Sequence, residues 1–183
     1  MKKIIAIAAI LTSAIAANAQ TVNSSATQTV NLALANAIEI TFTGSGTATG
    51  AAVSLAFNTV NDYANGVQSA AQTLKVRSNK NYTVAVKANS TNFSYSGSTT
   101  PAPVMPVGSV LDLKVSANAT GGTIASPFSA SAFADVTAAN QNLLTNCPNG
   151  GNQTFAIIYN ATPGFSYPAG TYSADIVYTA TQL

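Results

Sequence analysis

Apolar and polar residues alternate with a period of two along much of the chain, the pattern of β-strands that bury one face. In "LKVRS", for example, Leu74 and Val76 would be buried while Lys75 and Arg77 would face solvent. The pattern predicts eight strands: "TVNLAL" (29–34), "IEITF" (38–42), "VSLAF" (53–57), "LKVRS" (74–78), "YTVAVKA" (82–88), "LDLKV" (111–115), "TFAIIYN" (154–160) and "TYSADIVYT" (171–179).

Turn-forming residues separate these strands. Gly and Asn tolerate positive φ and Pro withholds a backbone donor, so stretches such as "GSGTATG" (44–50) and "PNGGN" (148–152) predict loops. Short strands punctuated in this way indicate an all-β fold, an antiparallel immunoglobulin-like β-sandwich. One segment, "ASAFADVTAANQNLL" (130–144), has apolar residues at helical spacing, which predicts a short helix in a crossover loop.

The first nineteen residues have the three parts of a secretory signal peptide. Lys2 and Lys3 give a charged start, 4–11 form an apolar run, and 17–19 read Ala-Asn-Ala, a small-x-small cleavage site. The apolar run is too short to span a bilayer, so a membrane anchor is the weaker interpretation. We therefore expect a signal peptide over 1–19 and a single mature domain over 20–183. That domain would be exported to the periplasm, the cell surface or the medium, with no membrane span.

Charge is scarce in the predicted mature chain. Of seven basic residues, two belong to the signal peptide, and the remaining five balance the five acidic residues. Nucleic-acid binding depends on Lys and Arg neutralising phosphates. A neutral chain without a basic cluster therefore argues against nucleic acid as a partner.

The residues needed for catalysis or metal binding are few. The chain contains no His, which removes the commonest general base and metal ligand. Its acids are scattered along the sequence, so we expect no enzymatic activity and no cofactor. The stretch 58–66 places Asn61, Asp62 and Asn65 close together, but a calcium loop needs several carboxylates, so a turn is the better interpretation.

Cys147 is the single cysteine. A lone thiol cannot form an intrachain disulfide, even in an oxidising compartment. We expect it to be partly buried beside a turn, and an intermolecular bridge is the alternative.

Five aromatic residues fall near predicted loops: Tyr63, Phe93, Tyr95, Phe165 and Tyr167. Exposed rings can stack on sugars, whereas loop aromatics more commonly cap the ends of a sandwich core. The first interpretation makes the chain a carbohydrate-binding module.

The stretch "PAGTYSADIVYTAT" (168–181) resembles the last strand of bacterial surface β-sandwiches such as spore-coat-U-like archaic pilins and WxL-like domains. The middle stretch 57–88 is similar to a loop and hairpin of those proteins. The resemblance implies a surface sandwich with a structural role. The chain departs from both groups, because archaic pilins usually carry a Cys pair and WxL domains carry Trp motifs, which are absent here.

The predicted mature N-terminus also alternates, with Val22, Val30, Leu32 and Leu34 on one side. Such a segment could add a strand to a neighbouring molecule, or it could be the first strand of its own domain, which is the simpler interpretation. The sequence thus favours an exported structural or adhesive surface protein, with a pilus-like or fibre-like subunit as its specific form. The alternative is a carbohydrate-binding module. The expected partners are a second copy, another surface protein or glycans.

Overall fold

The computed structural model describes residues 23–183, so the predicted signal peptide (1–19) and Val22 lie outside the described residues. Two units are distinguished along the chain, Met1–Leu34 and Ala35–Leu183. The second unit contains all twelve strands found within 23–183: β1 (Ile38–Phe42), β2 (Val67–Gln68), β3 (Gln72–Ser78), β4 (Tyr82–Ala88), β5 (Ser94–Ser96), β6 (Leu111–Ala119), β7 (Thr123–Ile124), β8 (Ala134–Asp135), β9 (Gln141–Cys147), β10 (Gly150–Ala161), β11 (Thr171–Ser173) and β12 (Ile176–Gln182).

The strands form two packed antiparallel sheets and a separate two-stranded pair, so the predicted all-β sandwich is confirmed. The first sheet has the order β1-β3-β10-β6-β8, with β2 pairing the end of β10. The second sheet has the order β12-β4-β9-β7. β5 and β11 pair with each other outside both sheets.

The core lies between the central strands of the two sheets. β4 buries Tyr82, Val84 and Val86 in strict alternation, as the sequence predicts. β6 and β10 contribute further fully buried side chains from the opposite sheet, including Leu113 and Ile157. Burial of such side chains stabilises the fold by about 1.5–3 kcal/mol each.

Two predicted strands are absent, at 29–34 and at 53–57. Residues 53–57 keep alternating burial, since Leu55 and Phe57 pack against the core while their neighbours are exposed. The alternation in 53–57 arises because one side of this segment contacts the core. The segment does not pair with a neighbouring strand, so it is not a β-strand. The segment 29–34 is exposed throughout, so the interpretation of it as the domain's own first strand is wrong.

The helix predicted over 130–144 is also absent, because this region forms β8 and β9. Leu143 and Leu144 are both fully buried, although neighbours in a regular strand point to opposite faces. The register between β4 and β9 shifts at this point, from Val84 opposite Leu144 to Ala85 opposite Asn142. This bulge lets consecutive leucines face the core and produces the helix-like spacing.

A short helix does occur, at α1 (Val60–Asn65), and a 3-10 turn spans Val107–Ser109. The Thr59 side chain accepts a hydrogen bond from the Asp62 N–H, and the Asp62 carboxylate accepts one from the Thr59 N–H at 2.7 Å. This capping box fixes the start of α1. Gly66 ends it at φ 80°, where a side chain would collide with the Ala161 carbonyl.

Within residues 23–183, no helix has the length and apolar character needed to cross a membrane.

Candidate functional site

One side of the sandwich is sealed by the connection 120–140. This segment inserts the buried Phe128 and Val136 between the two sheets. It covers the outer edge of β6 with β8 and the outer edge of β9 with β7. Backbone hydrogen bonds from Val115 to Ser129 and from Ala125 to Leu143 extend this cover.

The opposite side, which we call the open edge, is formed by β1 and β12. Among the described residues, β1 pairs only with β3 and β12 pairs only with β4, so each strand has one edge without a partner strand. The loop 44–50 covers the end of that edge on β1, because the Phe42 N–H donates to the Thr47 carbonyl at 2.9 Å and the Phe42 carbonyl accepts from the Gly46 N–H at 2.8 Å. No side chain of β12 is fully buried, in contrast to the alternating full burial along β4. Ile176, Tyr178 and Ala180 pack against the core and remain partly accessible. The open edge therefore combines unpaired backbone groups with an incompletely covered apolar face.

Side-chain contacts join the sheets at both ends of this edge. The rings of Phe42 and Tyr178 meet edge to face with centroids 6.2 Å apart. At the other end, the Gln182 amide donates hydrogen bonds to the Ala37 carbonyl at 2.8 Å and to Asn79 Oδ1 at 3.0 Å. Beside the ring contact lies an open cavity of about 170 Å³ whose apolar lining includes Ile40, Leu74 and Ile176.

The segment that precedes Ala35 has the complementary character. We call residues 22–34 the arm; its described part, 23–34, has no secondary structure and every side chain is exposed. Val30, Leu32 and Leu34 are 72%, 78% and 86% exposed. Of the four predicted arm residues, the structure thus describes these three as exposed, while Val22 lies outside the described residues. Three large apolar side chains at alternating positions have no cover in this chain.

A second feature is an aromatic cluster, defined here as Phe57, Tyr63, Tyr95, Phe165, Tyr167 and Tyr172. Tyr63 stacks on Phe165 with centroids 5.6 Å apart and planes inclined by 23°, and Phe57 lies 5.4 Å from Tyr63. Tyr172 lies 5.0 Å from Tyr95 and 6.4 Å from Tyr167. Desolvation, followed by repulsion from the ionised forms of Tyr95, Tyr167 and Tyr63, raises the pKa of Tyr172.

The structure therefore brings together four of the five aromatic residues singled out from the sequence. The fifth, Phe93, packs against the core instead. Phe57 and Tyr172 were missed, because both fall in alternating stretches that predict strands. A signal was present at Tyr172, which lies two residues after the "PAG" turn (168–170) and therefore near a loop.

The acidic residues are less scattered than the sequence suggested. Asp112 of β6 lies directly opposite Asp135 of β8, and on its other side it pairs with Asn160 of β10. Desolvation, together with the hydrogen bond to Asp135 and repulsion from its charge, raises the pKa of Asp112, which the hydrogen bond to Asn160 partly offsets. The two carboxylates form a cross-strand pair at the sealed side of the sandwich.

Asp62, the one carboxylate of the 58–66 stretch, is engaged in capping α1. Backbone N–H groups of Thr59 and Asn58 donate to it and hold its pKa below the usual range. No group of three or more metal-ligating residues occurs within 23–183.

Cys147 is fully buried, more deeply than predicted. Its Sγ lies 3.5 Å from the Thr120 hydroxyl, and it packs so closely on Gly122 that a side chain there would collide with it. The thiol is a packed core group, and an intermolecular disulfide would require the sandwich to open.

No protein-family model matches the sequence, and a comparison with curated proteins gave no significant match.

Proposed function

We propose that this protein is an exported structural subunit of the bacterial surface that assembles into a polymer by strand donation. In this proposal the arm of one copy adds as a strand to the open edge of the next copy. The proposal rests on two complementary features of one chain. The arm exposes apolar side chains at alternating positions, and the open edge has an apolar face that is only half covered.

The chemistry of strand addition fits both surfaces. An added strand gains main-chain hydrogen bonds along a free edge, and its alternate side chains enter apolar pockets. Ile40, Ile176 and the cavity of about 170 Å³ offer such a pocket. Burial of Val30, Leu32 and Leu34 would contribute about 1.5–3 kcal/mol each before the entropy of association is deducted.

An exposed strand edge that lacks protection is otherwise an aggregation hazard. Soluble proteins commonly protect such edges with Lys, Pro or a bulge, yet the only charged residue on β1 or β12 is Glu39. An edge kept free for a specific partner accounts for this lack of protection.

The polymer is tested with the predicted mature chain, residues 20–183. We expect oligomers in sedimentation velocity, and a variant with Val30→Asp, Leu32→Asp and Leu34→Asp should be monomeric with an unchanged circular dichroism spectrum. The matched control carries Thr29→Asp, Asn31→Asp and Ala33→Asp, which adds the same charge to the other side of the arm. The proposal is wrong if both variants behave alike.

A peptide experiment tests the acceptor separately. The sandwich lies entirely within Ala35–Leu183, so a chain that begins at Ala35 keeps every strand. A synthetic peptide of residues 20–34 should bind this chain and raise its melting temperature. A peptide of the same composition in scrambled order is the control, and equal stabilisation by both peptides would contradict strand addition.

Carbohydrate binding, the alternative from the sequence, concerns a different surface, the aromatic cluster, and would be compatible with assembly through the arm.

A further inference from the structure

The open edge offers two strands to an added strand, and β12 has the longer run of unpaired backbone groups. The Asn89 N–H donates to the Asp175 carbonyl at 2.8 Å, just before β12. The Leu183 N–H donates to the Asn81 carbonyl at 2.8 Å, just after it, and the register with β4 is unbroken in between. Residues of an antiparallel ladder direct their backbone groups alternately to either side. Four residues of β12 therefore direct both groups away from β4: Ile176, Tyr178, Ala180 and Gln182.

β1 has fewer backbone groups to offer. The loop 44–50 already bonds the N–H and the carbonyl of Phe42. By the same alternation, only Ile38 and Ile40 direct their backbone groups to the side without a partner strand. Glu39 lies between them, whereas neither β12 nor the arm contains a charged residue. An uncharged added strand thus gains more hydrogen bonds on β12 and meets no charge there.

The arm and β12 also match in the spacing of their apolar residues. Three side chains of β12, at every second position with Tyr178 in the middle, pack against the core. The arm exposes three large apolar side chains at the same spacing, with Leu32 in the middle. When the two sets face the same core, Leu32 lies opposite Tyr178 whether the added strand runs parallel or antiparallel to β12.

The cavity of about 170 Å³ lies at this central position. Its lining includes Tyr178 of β12, Ile40 of β1 and Ala48 of the loop 44–50, so it lies between the two sheets at the open edge. A side chain that points inward from a strand beside β12 enters this space. A leucine there would exchange solvent for apolar contacts on several sides.

We propose that β12 is the acceptor strand of the polymer and that Leu32 of the arriving arm fills the cavity beside Tyr178. This inference rests on the strand donation proposed above and adds the acceptor strand, the register and the occupant of the cavity. It also gives the loop 44–50 a role, because its hydrogen bonds to Phe42 direct the donor away from β1.

The acceptor strand is tested by disulfide cross-linking between two forms of the chain of residues 20–183. The donor form carries Asn31→Cys, on the outer side of the arm. The acceptor form carries the three arm substitutions to Asp, which prevent donation, and either Val177→Cys or Thr179→Cys on the outer side of β12. In the proposed register, Asn31 lies beside one of these two positions, depending on the direction of the donor.

Glu39→Cys in the acceptor form is the matched variant on β1. We expect a disulfide to one of the two β12 positions and none to position 39, and the native Cys147 does not interfere because its thiol is fully buried. Oligomers that cross-link to position 39 as fast as to β12, or to neither β12 position, would overturn this inference and leave strand donation standing. Absence of both oligomers and cross-links would overturn strand donation, and this inference with it.

The occupant of the cavity is tested with the peptide of residues 20–34, titrated into the acceptor chain without introduced cysteines. Leu32→Ala in the peptide should weaken binding by at least about tenfold, the effect of removing a buried leucine side chain. Leu34→Ala should weaken it less, because that side chain lies outside the cavity. Equal losses from the two peptides would contradict the proposed register.

A variant of the acceptor checks the cavity without altering the arm. Ala48→Leu places a larger side chain at the lining and should compete with Leu32, which weakens binding of the unmodified peptide. Ala51→Leu is the matched control, since Ala51 is also exposed but does not line the cavity. Both variants should keep the circular dichroism spectrum of the parent, and equal affinity of the two for the peptide would overturn the assignment of the cavity.

Discussion

The hydroxyl oxygens of Tyr159 and Tyr178 lie 2.7 Å apart and join the two sheets through the middle of the open edge. Tyr159 belongs to β10 of the first sheet and Tyr178 to β12 of the second. Tyr159 is almost fully buried, so this bond satisfies a hydroxyl that has little access to water. A polar link thus lies within the apolar contact that includes Phe42 and Phe155.

The pair should show strong coupling in a double-mutant cycle. Tyr159→Phe or Tyr178→Phe alone leaves one buried hydroxyl without its partner, which costs about 1–3 kcal/mol of the free energy of unfolding. The double Phe variant removes both hydroxyls and should be close to the parent protein. Urea unfolding of the four proteins measures this, and strictly additive losses would show that the hydrogen bond does not contribute.

The same tyrosines predict a loss of stability at alkaline pH. Burial raises the pKa of Tyr159 to about 12 and that of Tyr178 well above its usual value of 10. The unfolded chain therefore releases these protons at lower pH than the folded chain, and stability falls as pH rises above 10 towards 12. We expect unfolding and tyrosinate absorbance to change together in an alkaline titration. The double Phe variant should lose less stability over that range.

A paired carboxylate usually makes a protein less stable as pH falls, and we expect the opposite effect from Asp112 beside Asp135. The pKa of Asp112 is raised in the folded state above 3.8, so this group favours folding at low pH, and its contribution is lost as pH rises through the folded-state pKa. Asp112→Asn should then stabilise the protein at neutral pH by less than about 1 kcal/mol, the scale for like charges directly opposite in a sheet. Asp135→Asn tests the same repulsion from the other strand. Destabilisation of both variants at neutral pH would contradict this account.

Cys147 should be protected from alkylation in the folded protein. Because its thiol is fully buried, iodoacetamide should react slowly under native conditions and stoichiometrically in guanidinium chloride. A Ser96→Cys variant supplies a matched exposed thiol, since Ser96 lies on the accessible β5. Equal labelling of Cys147 and of the introduced thiol in the native state would show that the core opens readily there.

The central strands could be predicted from the sequence because alternate side chains are buried where these strands cross the core. β3 and β4 alternate as expected, with Leu74 and Val84 in the core, and β6 alternates over 111–115. In β10 the alternation holds from Ile157, the last of three consecutive buried residues, to Ala161. The short strands β2, β5, β7 and β8 have two or three residues each. Their pairing depends on backbone hydrogen bonds, which do not require particular side chains. These strands therefore show no alternation of apolar and polar residues from which they could be predicted.

The candidate sites depended on relationships that a single sequence does not show. The residues of the arm could be recognised, but the open edge follows from strand order, which alternation does not determine. The presence of aromatic residues near loops could be read from the sequence. Their contacts could not, because Tyr63 and Phe165, whose rings stack, are far apart in sequence. The bulge beside Leu143 also could not be predicted, because an alternating pattern is expected only in a regular strand. The bulge places apolar residues at a spacing that resembles that of a helix.

The position of β10 has a consequence for the order of folding. This strand lies in the middle of the first sheet, between β3 and β6, although it is the tenth in the chain. In a chain that emerges with its N-terminus first, β3 can pair with β1 and β6 with β8, but these two halves of the sheet cannot join until residues 150–161 have appeared. Long-range pairing of this kind slows folding relative to local pairing. Most of the polypeptide must therefore be available before the first sheet, and with it a closed core, can form.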